Sequence, residues 1–221
     1  MSEVLEIPLF FVKAFLIKGT QPILVDTGTP GSGEKILKKI TASGVNPAAI
    51  PLIIITHDHY DHFGSVHELK DKTGAKVAIH KLDAESLIKG ENPTLTPIGW
   101  KGRLARVVSP SNASFESLEP DIILDDETDL NEFGVNGKII HTPGHTPGSI
   151  SIILDDRKAI IGDLVMGGFI RSGTPHYPMF GYDLNRIKES IRQVLAYQPE
   201  DIYTSHGGPF KVAALKEKFG F

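Results

Sequence analysis

The chain has no cysteine among its 221 residues. Disulfides and thiolate metal ligands are both excluded, so any transition-metal site has to be built from imidazole and carboxylate. Positive charge is not in excess: 23 lysines and arginines face 27 aspartates and glutamates, a formal net charge of −4. That balance leaves no electrostatic footprint for nucleic acid or an anionic membrane, and no nucleic-acid partner is expected. Long apolar runs are missing as well. The first candidate is broken by Lys13 and Lys18, far short of the ~20 residues a membrane span needs. The start, Met1-Ser2-Glu3-Val4-Leu5-Glu6-Ile7-Pro8, is acidic where a secretory signal is basic. The expectation is a soluble, cytoplasmic protein with no membrane partner.

What is present reads as one domain over residues 1–221, with strands and helices interleaved. Residues 9–17 and 22–25 predict two paired strands, and Asp26-Thr27-Gly28 ends the second. Ile36, Leu37 and Ile40 have helical spacing, and Gly44 marks the stop. Residues 52–55 form an unbroken apolar run, as in a strand buried on both faces. A helix over 64–72, a strand over 76–79 and a helical turn over 84–89 follow. From 90 to 120 the pattern is weak and punctuated by prolines, and part of this stretch reads as a flap over a site. Strand signals return at 121–124, 138–141, 149–154, 158–161 and 202–204. Residues 184–197 predict an amphipathic helix capped by Asp183, and 212–218 a last helix.

Five of the nine histidines fall where one bimetal site needs them. Thr56-His57-Asp58-His59-Tyr60-Asp61-His62 puts three imidazoles and two carboxylates directly after the 52–55 run. His145 stands in Thr142-Pro143-Gly144-His145-Thr146-Pro147-Gly148, Asp163 in Ile161-Gly162-Asp163, and His206 in Thr204-Ser205-His206-Gly207-Gly208. Each follows an apolar run, and so sits on a loop at a strand end. His57 and His59, two apart, can aim at one ion with His145. Asp61 and His62, past the turn, can reach a second with His206, and the two oxygens of Asp163 can bridge both. The remaining polar groups read as support: Asp26 as a hydrogen-bond acceptor, Asp58 as a loop residue, Tyr60 as cleft wall. His67 is expected in solvent, and His80 and His141 in structural roles.

The motif His57-Asp58-His59-Tyr60-Asp61-His62, followed in order by His145, Asp163 and His206, closely resembles that of the metallo-β-lactamase fold superfamily. Val25-Asp26-Thr27-Gly28 matches its early Asp-Thr-Gly element, and the resemblance spans nearly the whole chain. It implies an α+β protein, an αβ/βα four-layer sandwich of two mixed β-sheets packed face to face with helices on the outer faces. It implies two divalent metal ions, zinc first and iron or manganese as alternatives. A hydroxide bound between the two ions would attack a small-molecule substrate, with Asp61 orienting it or moving its proton.

Ligand identity narrows the substrate. The best-known β-lactamases of this superfamily place a cysteine where this chain has Asp163. A bridging aspartate resembles glyoxalase II thioesterases, lactonases and phosphodiesterases. Only 15 residues follow His206, so the usual glutathione pocket is not expected. The sequence therefore predicts a hydrolase of an ester, thioester, lactone or phosphoester. Met166-Gly167-Gly168-Phe169 and His176-Tyr177-Pro178-Met179-Phe180-Gly181-Tyr182 are expected to line the pocket, with Phe10, Phe11 and Trp100 at its rim. Tyr182 and His176 are the candidate donors to a developing oxyanion. A mono-iron dioxygenase of sulfur compounds and a non-catalytic metal-binding protein are the alternatives.

Overall fold

The computed structural model describes residues 2–108, 115–167 and 173–221. The first half of the chain builds a six-stranded sheet whose strands lie in chain order. These are Glu3–Pro8 (β1), Lys13–Lys18 (β2), Pro22–Val25 (β3), Leu52–Ile54 (β4), Lys76–His80 (β5) and Ile122–Leu124 (β6). The first three pair antiparallel and the last four parallel, with helices in the crossovers. Those helices are Gly33–Ala42 (α1), Tyr60–Phe63 (α2), Val66–Thr73 (α3), Ala84–Lys89 (α4) and Gly99–Val108 (α5).

The second half builds another mixed six-stranded sheet. Its strands are Glu127–Asp129 (β7), Gly137–His141 (β8), Ile150–Leu154 (β9), Lys158–Ile160 (β10), Asp201–Tyr203 (β13) and Phe210–Lys211 (β14). Met166–Gly167 (β11) and Pro175–His176 (β12) form a separate two-stranded ladder. Leu184–Ala196 (α6) and Val212–Phe219 (α7) complete the chain.

Side-chain alternation shows how the layers stack. Leu52 and Ile54 join Ile23, Ile139, Ile152 and Ile160 in a core between the two sheets. Their neighbours Ile53 and Ile55 face the other way, packing with Ile36 and Ile40 of α1, Leu69 of α3 and Leu87 of α4. On the far side Ile153 and Ala159 pack against Ile187, Ile191 and Val194 of α6 and Leu215 of α7. Three cores therefore separate four layers, helix, sheet, sheet, helix, as expected. The unbroken run at 52–55 feeds two of these cores at once.

The structure departs from the sequence expectations at the edges. The first strand is Glu3–Pro8, in register from Glu3 opposite Lys18 to Pro8 opposite Lys13. Residues 9–12, expected in a strand, form the turn instead, closed by the Leu9 N–H on the Val12 carbonyl and leaving Phe10 95% exposed. The helix expected at 64–72 is α3, and a separate short helix, α2, precedes it. The weak stretch contains α5, hidden by Pro93, Pro97 and two glycines. Gly102 lets this helix approach the Met179 carbonyl, where a Cβ would lie 2.1 Å away. The strands β7 and β14 are too short for alternation to reveal them. Of the expected pocket segment, Gly168 and Phe169 lie outside the described residues, as do positions 109–114 of the flap.

No helix of the described residues is long and apolar enough to cross a membrane.

Candidate metal centre

Strands β4, β8, β10 and β13 end at one edge of the sandwich, and each delivers a loop there. The β4 loop carries His57 and His59, and α2 carries Asp61 and His62. His145 comes from the β8–β9 loop, Asp163 from the turn after β10 and His206 from the turn after β13. All seven are buried. Backbone bonds tie the loops together: Ile150 N–H to the Thr56 carbonyl, Ser205 N–H to Gly162, and Lys13 N–H to Ser205.

The hydrogen bonds around the ring nitrogens decide what the imidazoles can do. His145 Nδ1 faces the Phe180 carbonyl at 2.9 Å, and His206 Nδ1 faces the Phe11 carbonyl at 2.9 Å. His62 Nδ1 lies 2.8 Å from Asp26 Oδ2. Thr56 has one hydroxyl proton and directs it to the Asp26 carboxylate, so it accepts from His57 Nδ1 at 3.1 Å. Four histidines are thus assigned by their partners a proton on Nδ1, each turning Nε2 inward. His59 contributes Nδ1 instead.

In the first group the inward nitrogens crowd together. His145 Nε2 lies 3.2 Å from His57 Nε2 and 3.0 Å from His59 Nδ1. The facing Nε2 lone pairs of His57 and His145 repel unless a cation, or a proton from His59, lies among them. Nearby, His206 Nε2 is 3.3 Å from Asp61 Oδ2 and 3.1 Å from Asp163 Oδ2. His62 Nε2 is 3.8 Å from Asp61 Oδ2 and 3.6 Å from Asp163 Oδ1. His62 Nε2 and Asp163 Oδ1 are buried with no hydrogen-bond partner, a cost a metal ion would remove. The donor set fits metal ions, and two groups, His57–His59–His145 and Asp61–His62–His206, each have the spacing to hold one.

The electrostatics divide the centre in two. Burial, reinforced by the neighbouring imidazoles, holds His57 and His59 well below the usual histidine pKa, and burial also lowers His145. At His62 burial is outweighed by Asp26, Asp163 and Asp61, and the pKa is pushed up to about 9. His206 is likewise driven well above its usual value, by Asp163 and Asp61 against burial. Despite burial, His62 and His206 hold Asp61 down to about 2, and His206 and His62 depress Asp163. Three histidines are therefore biased towards the neutral form and two towards the imidazolium.

Asp26 holds this arrangement from behind. It is fully buried, adopts a left-handed φ of 59°, and accepts from Thr56 N–H, the Thr56 hydroxyl and His62. Asp26→Ala would strand a buried imidazolium and a buried N–H. Unfolding of the metal-free protein at pH 7 should lose about 3–5 kcal/mol. A loss below about 1 kcal/mol in denaturant titration contradicts this role.

Other sequence candidates fall elsewhere. Tyr182, half-exposed, lines a cleft of about 280 Å³ beside His59 and His145, together with Leu82, Pro93, Thr96, Pro147 and Phe180. His176 lies on β12 opposite Met166 and is not among the residues lining that cleft. Nor are Trp100 and Tyr60; Tyr60 stacks on Phe115, their ring centroids 6.3 Å apart. Phe11 stacks on His206 with centroids 5.8 Å apart. His67, expected in solvent, is half-buried and 3.3 Å from Glu116, because the 115–118 segment folds over α3.

His80 and His141 stack at 4.0 Å with planes only 12° apart. Their in-plane lone pairs therefore cannot both meet one ion, although with Asp126 they have metal-like spacing. Sequence reasoning missed Leu82, Asp83, Lys13 and the Phe11 and Phe180 carbonyls. The one signal available was Leu82-Asp83 at the carboxyl end of a parallel strand, the edge where open sheets bind ligands.

A layered sandwich with a histidine–aspartate centre at its strand ends defines a metal-dependent enzyme, and the relatives of this chain make it a hydrolase. The chain belongs to the metallo-β-lactamase superfamily, whose family model matches residues 7–206. It is 28% identical over 207 residues to a Bacillus subtilis (strain 168) protein named probable metallo-hydrolase YflN, covering 85% of this chain and 75% of that one. It is 29% identical over 192 residues to the acyl-coenzyme A thioesterase MBLAC2 of Homo sapiens, covering 76% of this chain and 63% of that protein. The solved structure of the BLEG-1 B3 metallo-β-lactamase superposes with a TM-score of 0.72 at 18% identity, over 98% of this chain and 97% of that one, a likeness of fold.

Proposed function

We propose that this protein hydrolyses an ester or thioester of a small molecule with an apolar acyl or alkyl part, using two divalent metal ions, zinc first among them. The carrying observation is the set of four Nδ1 atoms held by oxygen partners, which turns four Nε2 atoms towards one buried space. Partners of this kind fix ring orientation and raise ligand basicity in metal sites. His57, His59 and His145 would hold one ion and Asp61, His62 and His206 the other, with Asp163 facing both. When bound, such ions supply a Lewis acid and a water whose proton leaves near neutral pH.

The rest is done by the chain. The cleft beside His59 and His145 is lined by Leu82, Pro93, Pro147, Phe180 and Tyr182, with threonines between, and among its described residues none is lysine or arginine. That lining suits an uncharged carbonyl compound and disfavours a phosphoester anion, which supports esters and thioesters over phosphodiesters. The thioesterase name of one relative points the same way. Burial raises the Tyr182 phenol pKa, so the hydroxyl keeps its proton at neutral pH and can donate to the oxygen that gains charge.

A substrate panel of apolar esters, thioesters, lactones and phosphodiesters tests the class. Turnover is expected on the first two, and a phosphodiesterase without esterase or thioesterase activity sinks the assignment. Tyr182→Phe should lower kcat by about 10-fold, the worth of one hydrogen bond, at unchanged metal content. Unchanged kcat removes Tyr182 from the reaction.

A further inference from the structure

Asp83 stands immediately before α4, where an aspartate ordinarily accepts hydrogen bonds from the first turn of its own helix. Its side chain makes no such bond. Both oxygens face the metal loops instead. Oδ1 accepts the Gly148 N–H at 2.6 Å, while Oδ2 accepts the Thr146 hydroxyl at 2.5 Å and the Asp58 N–H at 3.2 Å. Asp58 lies between His57 and His59, and Thr146 and Gly148 flank His145. One carboxylate, 1% exposed, therefore joins the two loops that carry the three-histidine group. Gly148 completes the joint, since a Cβ there would lie 2.5 Å from the Asp83 carboxylate. Further back, the Ile150 N–H bonds the Thr56 carbonyl. Beside the three imidazoles, Asp83 bonds both loops.

We propose that Asp83 is a positioning residue that clamps the His57–His59 loop to the His145 loop, so that the three imidazoles converge on one ion. A buried carboxylate is costly to place and needs such donors to offset its desolvation. Neither a helix cap nor surface solvation explains one in this position. The clamp rests on the dimetal reading above, but its test does not read hydrolysis.

Zinc is titrated into metal-stripped wild type, Asp83→Ala, Asp83→Asn and Thr146→Val in competition with a chromophoric chelator, and cobalt absorption spectra are recorded for each. In Asp83→Ala one of the two zinc constants should weaken by about 10- to 100-fold, as for other residues that orient ligands. The other constant should hold, and the cobalt spectrum should change. Asp83→Asn keeps an acceptor for Gly148 N–H and should recover part of the loss. Folded variants with both constants and the spectrum at wild-type values overturn the clamp. Equal weakening of both constants does so too, because it marks general loosening. If Asp83→Ala does not fold, Thr146→Val, which removes one of the three bonds, carries the test with the same outcomes. A wild type that binds two ions but cleaves no ester or thioester refutes the proposed function and leaves the clamp standing.

Discussion

Asp163→Asn should remove most turnover, at least about 100-fold in kcat/KM and beyond the usual effect of outer-shell partners, and should reduce metal content below two ions per chain. The replacement is nearly isosteric, so packing is kept and charge is the variable. One Asp163 oxygen lies 3.1 Å from His206 Nε2 and 3.6 Å from His145 Nε2, and the other lies 3.6 Å from His62 Nε2. One of its oxygens thus faces a histidine of each group, and the other faces His62 of the second. Loss of its charge therefore weakens both ions and the register between them. Metal content and kcat/KM on an apolar thioester measure this together. A folded variant with full turnover and two ions contradicts the bridging role.

The second large effect is a difference in how pH governs the two ions. His62, with its pKa raised to about 9, holds its second proton from pH 8 to 6, and His206 is raised in the same direction by Asp163 and Asp61. An incoming cation has to displace such protons, which weakens affinity by about 10-fold per pH unit for each proton lost. His57, His59 and His145, with lowered pKa values, are already neutral in that range and oppose a cation with no proton. Lowering the pH from 8 to 6 should thus empty the Asp61–His62–His206 group while the three-histidine group stays loaded. Competition titrations at pH 6, 7 and 8 read the two constants separately, and identical pH dependence of both contradicts the division.

Much of this site could be read in the sequence because its chemistry is local. His57 to His62 lie within one turn, and the runs before Asp163 and His206 mark strand ends whatever the sheets do. The layered fold was legible where both alternate faces of a strand are apolar, as at residues 52–55, and illegible at edges of two or three residues such as β14. The partners that orient the rings were out of reach. The carbonyls of Phe11 and Phe180 belong to residues far along the chain from His206 and His145, and a carbonyl leaves no trace in residue identity. Asp83 was hidden differently: before a helix it reads as a cap, and only the packing of two loops reveals where its oxygens point. Lys13 likewise reads as a strand lysine, yet its ammonium reaches the Gly207 and Gly208 carbonyls of the His206 turn.

The most direct measurement is the metal content of protein purified without added metal, followed by thioester and ester turnover before and after chelation. About two divalent ions per chain, turnover lost on stripping and regained on adding zinc, is the expected result. Turnover that survives complete removal of metal would contradict the dimetal hydrolase outright.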